Sequence, residues 1–145
     1  MRSVRRRRLP NLQIRVGVDL VGADRVERLA AENPGILQTL FTTRELAACA
    51  PRRRPYEHLA ARFAAKEAVL KAFGTGLAER MQWTEIEIVN GMRGRPLVQL
   101  HGEVATRAKQ LGLSDVEVSL SHTDGMAIAQ AVAVLNKAEC QCAST

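Results

Sequence analysis

The stretch from residue 56 to residue 73 constrains the fold more than any other part of the sequence. It contains no glycine or proline and lies between Pro55 and Gly74. Because proline is favoured in the first turn of a helix and glycine just past its end, the stretch is predicted to be one long helix. Apolar side chains recur at helical spacing along one stripe, at Leu59, Phe63, Leu70 and Phe73, with Ala60 and Ala64 beside them.

The other patterns in the chain predict a layer against which this helix packs. Strands are predicted at residues 14–21, 86–89, 97–100, 116–120 and 126–135. Shorter helices are predicted at residues 24–31, from the capping-box pattern at residues 42–45 to about Cys49, and at residues 103–111. The order β-α-α-α-β-β-α-β-β predicts an α+β fold in which helices pack on a mostly antiparallel sheet.

The formal charge of +6 is concentrated ahead of the predicted domain. Six of the 21 basic residues precede Asp19, the first acidic residue, and the other 15 equal the 15 acidic residues in number. Residues 1–11 are therefore expected to be a disordered basic arm, residues 12–136 a near-neutral domain, and residues 137–145 a polar tail. The aromatic residues do not interleave with the arm's arginines, so nucleic-acid binding is not expected.

The sequence carries no pattern for a membrane or an export route. No apolar run approaches the roughly 18 residues that span a bilayer, and no apolar core follows the basic start. A cytoplasmic protein without a membrane partner is expected. Cys49, Cys140 and Cys142 lack the spacing of a zinc site, which favours free thiols in a reducing compartment.

Glu67 lies on the apolar stripe of the predicted long helix. A carboxylate there loses hydration unless a cation or hydrogen bonds compensate for the loss. Lys71, one turn further along, is one such cation, and a metal ion is another. From the helix alone, a surface Glu–Lys pair is the favoured interpretation.

Asp19 is a second charged residue in apolar surroundings, near the end of the first predicted strand. It either caps the helix that follows or meets Glu67, if the strand packs beside the long helix. Two carboxylates, completed by waters and substrate phosphates, are a usual way for a protein to hold Mg²⁺. The pair therefore raises the hypothesis of a magnesium site.

Two further segments carry polar groups at predicted chain reversals. Residues 119–123 place two serines before His122 and Thr123, but a serine hydrolase is disfavoured because the G-x-S-x-G elbow is absent. A strand-end histidine bonded to backbone is the alternative. The loop Gly74-Thr75-Gly76 either caps the long helix or presents N–H groups to a phosphate, although its order is not that of a P-loop.

Three segments occur in a specific order: VGVDLV at residues 16–21, RFAAKEAVLKAFGTG at residues 62–76 and VSLSHT at residues 118–123. Together they resemble the holo-acyl-carrier-protein synthases, the short bacterial class of 4′-phosphopantetheinyl transferases. The resemblance runs from about Ile14 to Val134. It implies a Mg²⁺-dependent enzyme, trimeric with active sites between subunits, that moves the phosphopantetheine arm of coenzyme A onto a serine of an acyl carrier protein.

The resemblance also implies roles for individual residues. Asp19 and Glu67 match the magnesium ligands, and Lys71 matches a lysine that contacts the coenzyme A phosphates. His122 matches a histidine near the same co-substrate, facing the carboxylates of a neighbouring subunit. Arg25 matches a basic residue that meets the acidic helix of the carrier protein. Further candidates are Arg28 for the carrier, and Arg62, Gly74, Thr75, Gly76 and Thr123 for coenzyme A.

Two alternatives stay open at this point. One is a binding module that uses the basic arm on nucleic acid or acidic protein, with no catalysis. The other keeps the chemistry but serves a polyketide or peptide synthase carrier instead of the fatty acid carrier. The sequence does not separate these clients, because carrier choice depends on surface complementarity.

Overall fold

The structure, a computed structural model, describes residues 11–136, so the predictions for the basic arm and the polar tail lie outside the described residues. The helices are α1 (Ala23–Glu32), α2 (Ile36–Leu40), α3 (Thr43–Cys49), α4 (Pro55–Phe73) and α5 (Gly102–Gln110). The strands are β1 (Leu12–Gly22), β2 (Ile86–Asn90), β3 (Pro96–Leu100), β4 (Leu113–Thr123) and β5 (Met126–Asn136).

The α+β class and the order of elements are confirmed, with α2 as an addition that the sequence patterns missed. The predicted capping box of α3 is present, because Thr42 accepts from the backbone of Glu45 and the Glu45 side chain accepts from the backbone of Thr42. The predicted single sheet is instead two antiparallel sheets, one of order β1-β5-β4 and one formed by the β2-β3 hairpin.

Helix α4 packs against the inner face of the three-stranded sheet, where small residues allow a close approach. A Cβ atom on Gly17 would clash with the Ala68 carbonyl oxygen and come within 2.8 Å of the Ala72 nitrogen. Strand β5 presents four buried alanines to this layer, namely Ala127, Ala129, Ala131 and Ala133. The prediction of a single apolar stripe was too narrow, because Ala61, Ala65 and Val69 outside it are also buried.

A buried ion pair joins α4 to the elements around it. Lys66 is fully buried, and its Nζ donates to Glu45 Oε2 at 2.8 Å, to the Leu40 carbonyl at 2.7 Å and to the Trp83 carbonyl at 3.1 Å. Glu45 Oε1 accepts from the Ile88 backbone N–H at 2.9 Å. The pair thereby connects α4 with the end of α2, with α3 and with β2.

The outer face of the three-stranded sheet is apolar but exposed. Side chains alternate between the two faces of a strand, so the even-numbered residues of β1 point away from α4. They are exposed by 52% to 68%, and lie at Leu12, Ile14, Val16, Val18 and Leu20. Ile128 on the neighbouring β5 is 41% exposed and stands opposite Leu20. Across the described residues, no helix has the length and apolar character to cross a bilayer.

Candidate active site

Strand β1 and helix α4 bring Asp19 and Lys71 into contact. Lys71 Nζ donates to Asp19 Oδ1 at 2.9 Å and to the Val18 carbonyl at 3.0 Å. Gly17 and Asp19 point to the same face of β1, so the close seat of Gly17 on α4 holds Asp19 beside the helix. The capping interpretation of Asp19 is wrong, because the N-cap of α1 is Gly22 and no side chain caps that helix.

Glu67 is half-buried on α4, one turn before Lys71. Burial raises the pKa of Glu67 and the negative charge of Asp19 raises it further, whereas the charges of Lys71 and Arg25 lower it. Asp19 and Glu67 are therefore close enough to repel each other. The favoured surface Glu67–Lys71 pair is wrong, because the ion pair that Lys71 makes within the described chain is with Asp19.

The donor set of this carboxylate cluster, which comprises Asp19, Glu67 and Lys71, fits a hard divalent cation. Carboxylate oxygens are ligands that Mg²⁺ prefers, and it commonly keeps several waters. Among residues 11–136 no three His, Cys, Asp or Glu side chains form a metal-binding group. Asp19 and Glu67 could hold such an ion only with oxygens from water or a substrate phosphate in the remaining positions.

A second polar site is a cationic cleft of about 470 Å³ beside the first half of α4. Its basic lining comprises Arg52, His58, Arg62, Arg95 and His122. Arg62 is only 6% exposed, and its Nε has no hydrogen-bond partner among the described residues. Its Nη2 reaches Asn90 Oδ1 at 3.4 Å. Arg62 lines the cleft, and the planar fork of an arginine guanidinium matches phosphate geometry.

His122 enters this cationic cleft from the end of β4. Its Nδ1 lies 3.3 Å from Glu57 Oε2, and its ring contacts the His58 ring edge-on with centroids 5.1 Å apart. The strand extends to Thr123, three residues beyond the predicted end, because Asp124-Gly125 alone forms the turn. Both turn residues have positive φ, 50° and 76°, as a two-residue hairpin turn requires.

The carboxylate cluster and the cationic cleft face different sides of α4. Arg62 and Glu67 are five positions apart, which turns their side chains about 140° from each other around the helix. His122 contacts Glu57, ten positions before Glu67, and so lies about 15 Å away along the helix axis. One chain therefore brings Asp19, Glu67 and Lys71 together but does not bring His122 to them.

The glycine loop after α4 ends the helix, as the capping interpretation predicted. Gly74 adopts φ 75°, and its N–H donates to the carbonyls of Leu70 and Lys71 at 3.0 Å. Arg15 of β1 adds a hydrogen bond of 3.2 Å to the Phe73 carbonyl. A phosphate contact by Gly74, Thr75 and Gly76 stays a prediction.

The two arginines predicted to meet a carrier protein are exposed on α1. Arg28 Nη2 lies 4.0 Å from Asp24 Oδ2, with both side chains mostly exposed. Arg25 is near enough to Glu67 to lower its pKa. The first turn of α1, which carries Arg25, therefore borders the carboxylate cluster.

Sequence reasoning missed Arg52, His58 and Arg95 as lining residues of the cationic cleft, and Glu57 as the contact of His122. His58 lies four positions before Arg62 and so shares a helix face with it. That spacing could have identified the pair. No local signal connects the glutamate at position 57 with a histidine on a distant strand.

The fold and the two sites define a class: an α+β protein with a pair of neighbouring carboxylates and a separate cleft lined by arginines and histidines. Within that class, the chain belongs to the 4′-phosphopantetheinyl transferase superfamily, whose sequence model matches residues 15–133. This confirms the family resemblance that the three motifs indicated.

Curated relatives and solved structures agree with this assignment. The chain is 44% identical over 119 residues to the holo-[acyl-carrier-protein] synthase of Moorella thermoacetica, covering 82% of this chain and 92% of the relative. For the enzyme of Geobacter sulfurreducens the identity is 45%, with coverages of 80% and 93%.

Among solved structures, the synthase of Neisseria meningitidis superposes with a TM-score of 0.75 at 30% identity, covering 82% of this chain and 96% of that one. The Helicobacter pylori synthase in complex with coenzyme A gives 0.71 at 26% identity, with coverages of 81% and 98%. The fold of the family is therefore the fold of this chain.

Proposed function

We propose that this chain transfers 4′-phosphopantetheine from coenzyme A to a serine of an apo acyl carrier protein and releases 3′,5′-ADP. The relatives that it matches are named for this activity, and solved relatives include complexes with coenzyme A. The observation that carries the proposal is the convergence of Asp19, Glu67 and Lys71 from two distant segments. Free Cys49 suits a reducing cytoplasm as the place of action.

The residues of the carboxylate cluster account for each proton and charge of the reaction. Asp19 and Glu67 would hold Mg²⁺, which when bound neutralises the diphosphate of coenzyme A and orients it. Glu67, directly or through a water, takes the proton of the carrier serine. The serine oxygen then bonds to the pantetheine-side phosphorus as the bond to 3′,5′-ADP breaks. Lys71 stabilises or protonates the departing phosphate oxygen.

The active unit is proposed to be a homotrimer with its sites between subunits. The exposed apolar face of β1 and β5 supports this, because large apolar patches on a protein surface mark contact sites. The opposed directions of the carboxylate cluster and the cationic cleft support it as well. In a trimer, His122, Thr123 and Arg62 of one subunit would contact the coenzyme A whose diphosphate lies at Asp19 and Glu67 of the next.

The carrier protein is proposed to dock on the exposed part of α1 that carries Arg25 and Arg28. Arg25 and Arg28 would attract its acidic helix next to Glu67, an effect that weakens as salt screens the charges. Arg25→Glu should raise KM for the carrier and leave coenzyme A affinity unchanged. If coenzyme A binding alone suffered, this docking assignment would be wrong. Kinetics on fatty acid, polyketide and peptide carriers side by side would identify the client.

The proposed function is tested by incubating the chain with coenzyme A, Mg²⁺ and apo carrier protein and following the carrier mass. Glu67→Gln and Asp19→Asn should each abolish transfer. Glu103→Gln, which alters an exposed carboxylate on α5, is the matched control and should retain it. Full activity in both cluster variants would refute the metal assignment. A binding module acting through residues 1–11 predicts loss of function on deleting them, whereas the transferase predicts nearly full activity.

A further inference from the structure

We propose that Glu57 is a positioning residue, whose carboxylate orients the His122 ring so that the protonated imidazole presents its Nε2–H to an anion in the cationic cleft. The inference rests on the proposed function, in which His122 contacts a phosphate of coenzyme A. It concerns a residue that does not itself touch the co-substrate.

The carboxylate of Glu57 is held at both oxygens. Glu57 lies in the first turn of α4 and is only 9% exposed. Its Oε1 lies 3.3 Å from Arg54 Nη1, and its Oε2 lies 3.3 Å from His122 Nδ1. This ion-pair contact places Nδ1 on the Glu57 side of the ring, where an Nδ1–H faces an ionised carboxylate that can only accept. The remaining ring nitrogen, Nε2, lies on the side of the imidazole away from Glu57.

A second contact restrains the same ring. His58 meets His122 edge-on, with an angle of 69° between the ring planes. Glu57 and His58 are neighbours on α4, so the rigid helix applies both restraints from one end of the cleft. The His122 side chain is still 36% exposed and lines the cleft together with Arg52 and Arg62. The His122 ring is therefore restrained on the side that faces α4 and exposed on the side that faces the cleft.

This arrangement resembles the carboxylate–histidine pairs that orient metal-binding and catalytic imidazoles. In such pairs the carboxylate selects the tautomer and fixes the ring plane, and its loss weakens the function of the histidine by about 10-fold to 100-fold. Here the bound group would be a phosphate monoester. Without the carboxylate, the protonated imidazole can rotate, and the contact of its Nε2–H with the phosphate is lost for part of the time.

The test is a double-mutant cycle on the binding of 3′,5′-ADP to the full chain, measured by calorimetry. Glu57→Gln should weaken binding on the order of tenfold, and His122→Ala at least as much. The double variant should bind no more weakly than His122→Ala, because Glu57 acts through His122. The proposal would be overturned if the double variant lost affinity by the product of the two single fold-losses. An unchanged affinity of Glu57→Gln for 3′,5′-ADP would also overturn it.

A second measurement separates positioning from a merely structural role. Nitrogen-15 NMR of the His122 ring in the 3′,5′-ADP complex at pH 7 should show protons on both ring nitrogens in the wild type and a larger neutral fraction in Glu57→Gln, with the unfolding midpoint nearly unchanged. A neutral ring in the wild-type complex would contradict the inference. In kinetics, Glu57→Gln should raise KM for coenzyme A and leave kcat nearly unchanged. The double-mutant cycle measures the binding of 3′,5′-ADP and not the transfer reaction. If the wild type transferred no phosphopantetheine, the proposed function would be refuted, but the cycle would still test whether Glu57 acts through His122.

Discussion

Two lysines on α4 make ion pairs of nearly equal length in opposite environments. Lys66 Nζ lies 2.8 Å from Glu45 Oε2 with both side chains fully buried. Lys71 Nζ lies 2.9 Å from Asp19 Oδ1, with 53% of the lysine side chain and 18% of the aspartate side chain exposed. The two pairs differ by five positions on one helix.

The comparison shows that burial, and not the distance between charges, separates the two pairs. The ammonium of Lys66 has three hydrogen-bond acceptors, one for each of its protons. Burial lowers the pKa of Lys66, although the neighbouring charge of Glu45 opposes this shift. Water already reaches Lys71, so an arriving cation or phosphate can change its contacts at little cost.

The largest expected effect is from Lys66→Met. This change leaves the carboxylate of Glu45 buried without its cation, and breaking a buried pair from one side costs about 3–5 kcal/mol of unfolding free energy. Urea denaturation at fixed protein concentration measures the loss. Lys109→Met on the exposed face of α5 is the control and should change stability by less than about 0.5 kcal/mol. Equal effects of the two changes would show that burial of Lys66 is not what matters.

Gly17→Ala should have the next largest effect on stability, because it disturbs the close packing of β1 against α4 that holds Asp19 beside the helix. The added methyl group meets the backbone of Ala68 and Ala72, which cannot rotate away. Overpacking of this kind costs about 1–3 kcal/mol. Since the strand must also move away from Glu67, transfer activity should fall together with the unfolding midpoint. A variant with both quantities unchanged would mean that β1 and α4 tolerate a wider spacing.

The elements that the sequence predicted well are those with local signals. Gly74 ends α4 and Thr42 caps α3 because their roles depend on a few neighbouring backbone groups. The sequence predicts that Asp19 meets the long helix only if the first strand packs beside it, because no local pattern indicates which strand packs on which helix. Helix α2 was missed because it is five residues long, too short to form without the contacts around buried Leu40.

The environments of Lys66 and Glu67 could not be told apart from the sequence. Both are charged residues in the same apolar helix, which is buried on most of its sides. The helical spacing of apolar residues therefore does not predict which of the two charged side chains is more deeply buried. What decides is Glu45, a residue 21 positions before Lys66, whose carboxylate accepts a hydrogen bond from the Lys66 ammonium. This tertiary pairing, which the residue pattern does not encode locally, places the charge of Lys66 in the core, whereas Glu67 stays half-buried.

Glu87 offers an intermediate case, a buried carboxylate with exposed partners. Burial favours its neutral form, but hydrogen bonds from Thr42 and His101 and the charge of Arg44 outweigh this, so the pKa of Glu87 is lowered. Its ionisation therefore contributes stability above the unfolded-state pKa, and that stability is lost as pH falls through the folded-state pKa. Glu87→Gln should lose about 1 kcal/mol at pH 7. As the pH is lowered, the unfolding free energy of Glu87→Gln should fall less than that of the wild type. If the unfolding free energies of the two proteins fell in parallel with pH, this prediction would be contradicted.

Lys71→Met should have the smallest effect on stability, although its ion pair is as short as that of Lys66. An exposed pair contributes about 0.2–1 kcal/mol, since water solvates each charge when the other is removed. The same change should lower phosphopantetheine transfer on the order of 100-fold, because it removes the charge that is proposed to face the departing phosphate. Denaturation and transfer measured on one preparation test both statements. If Lys71→Met proved as destabilising as Lys66→Met, the distinction between a structural and a functional lysine on this helix would fail.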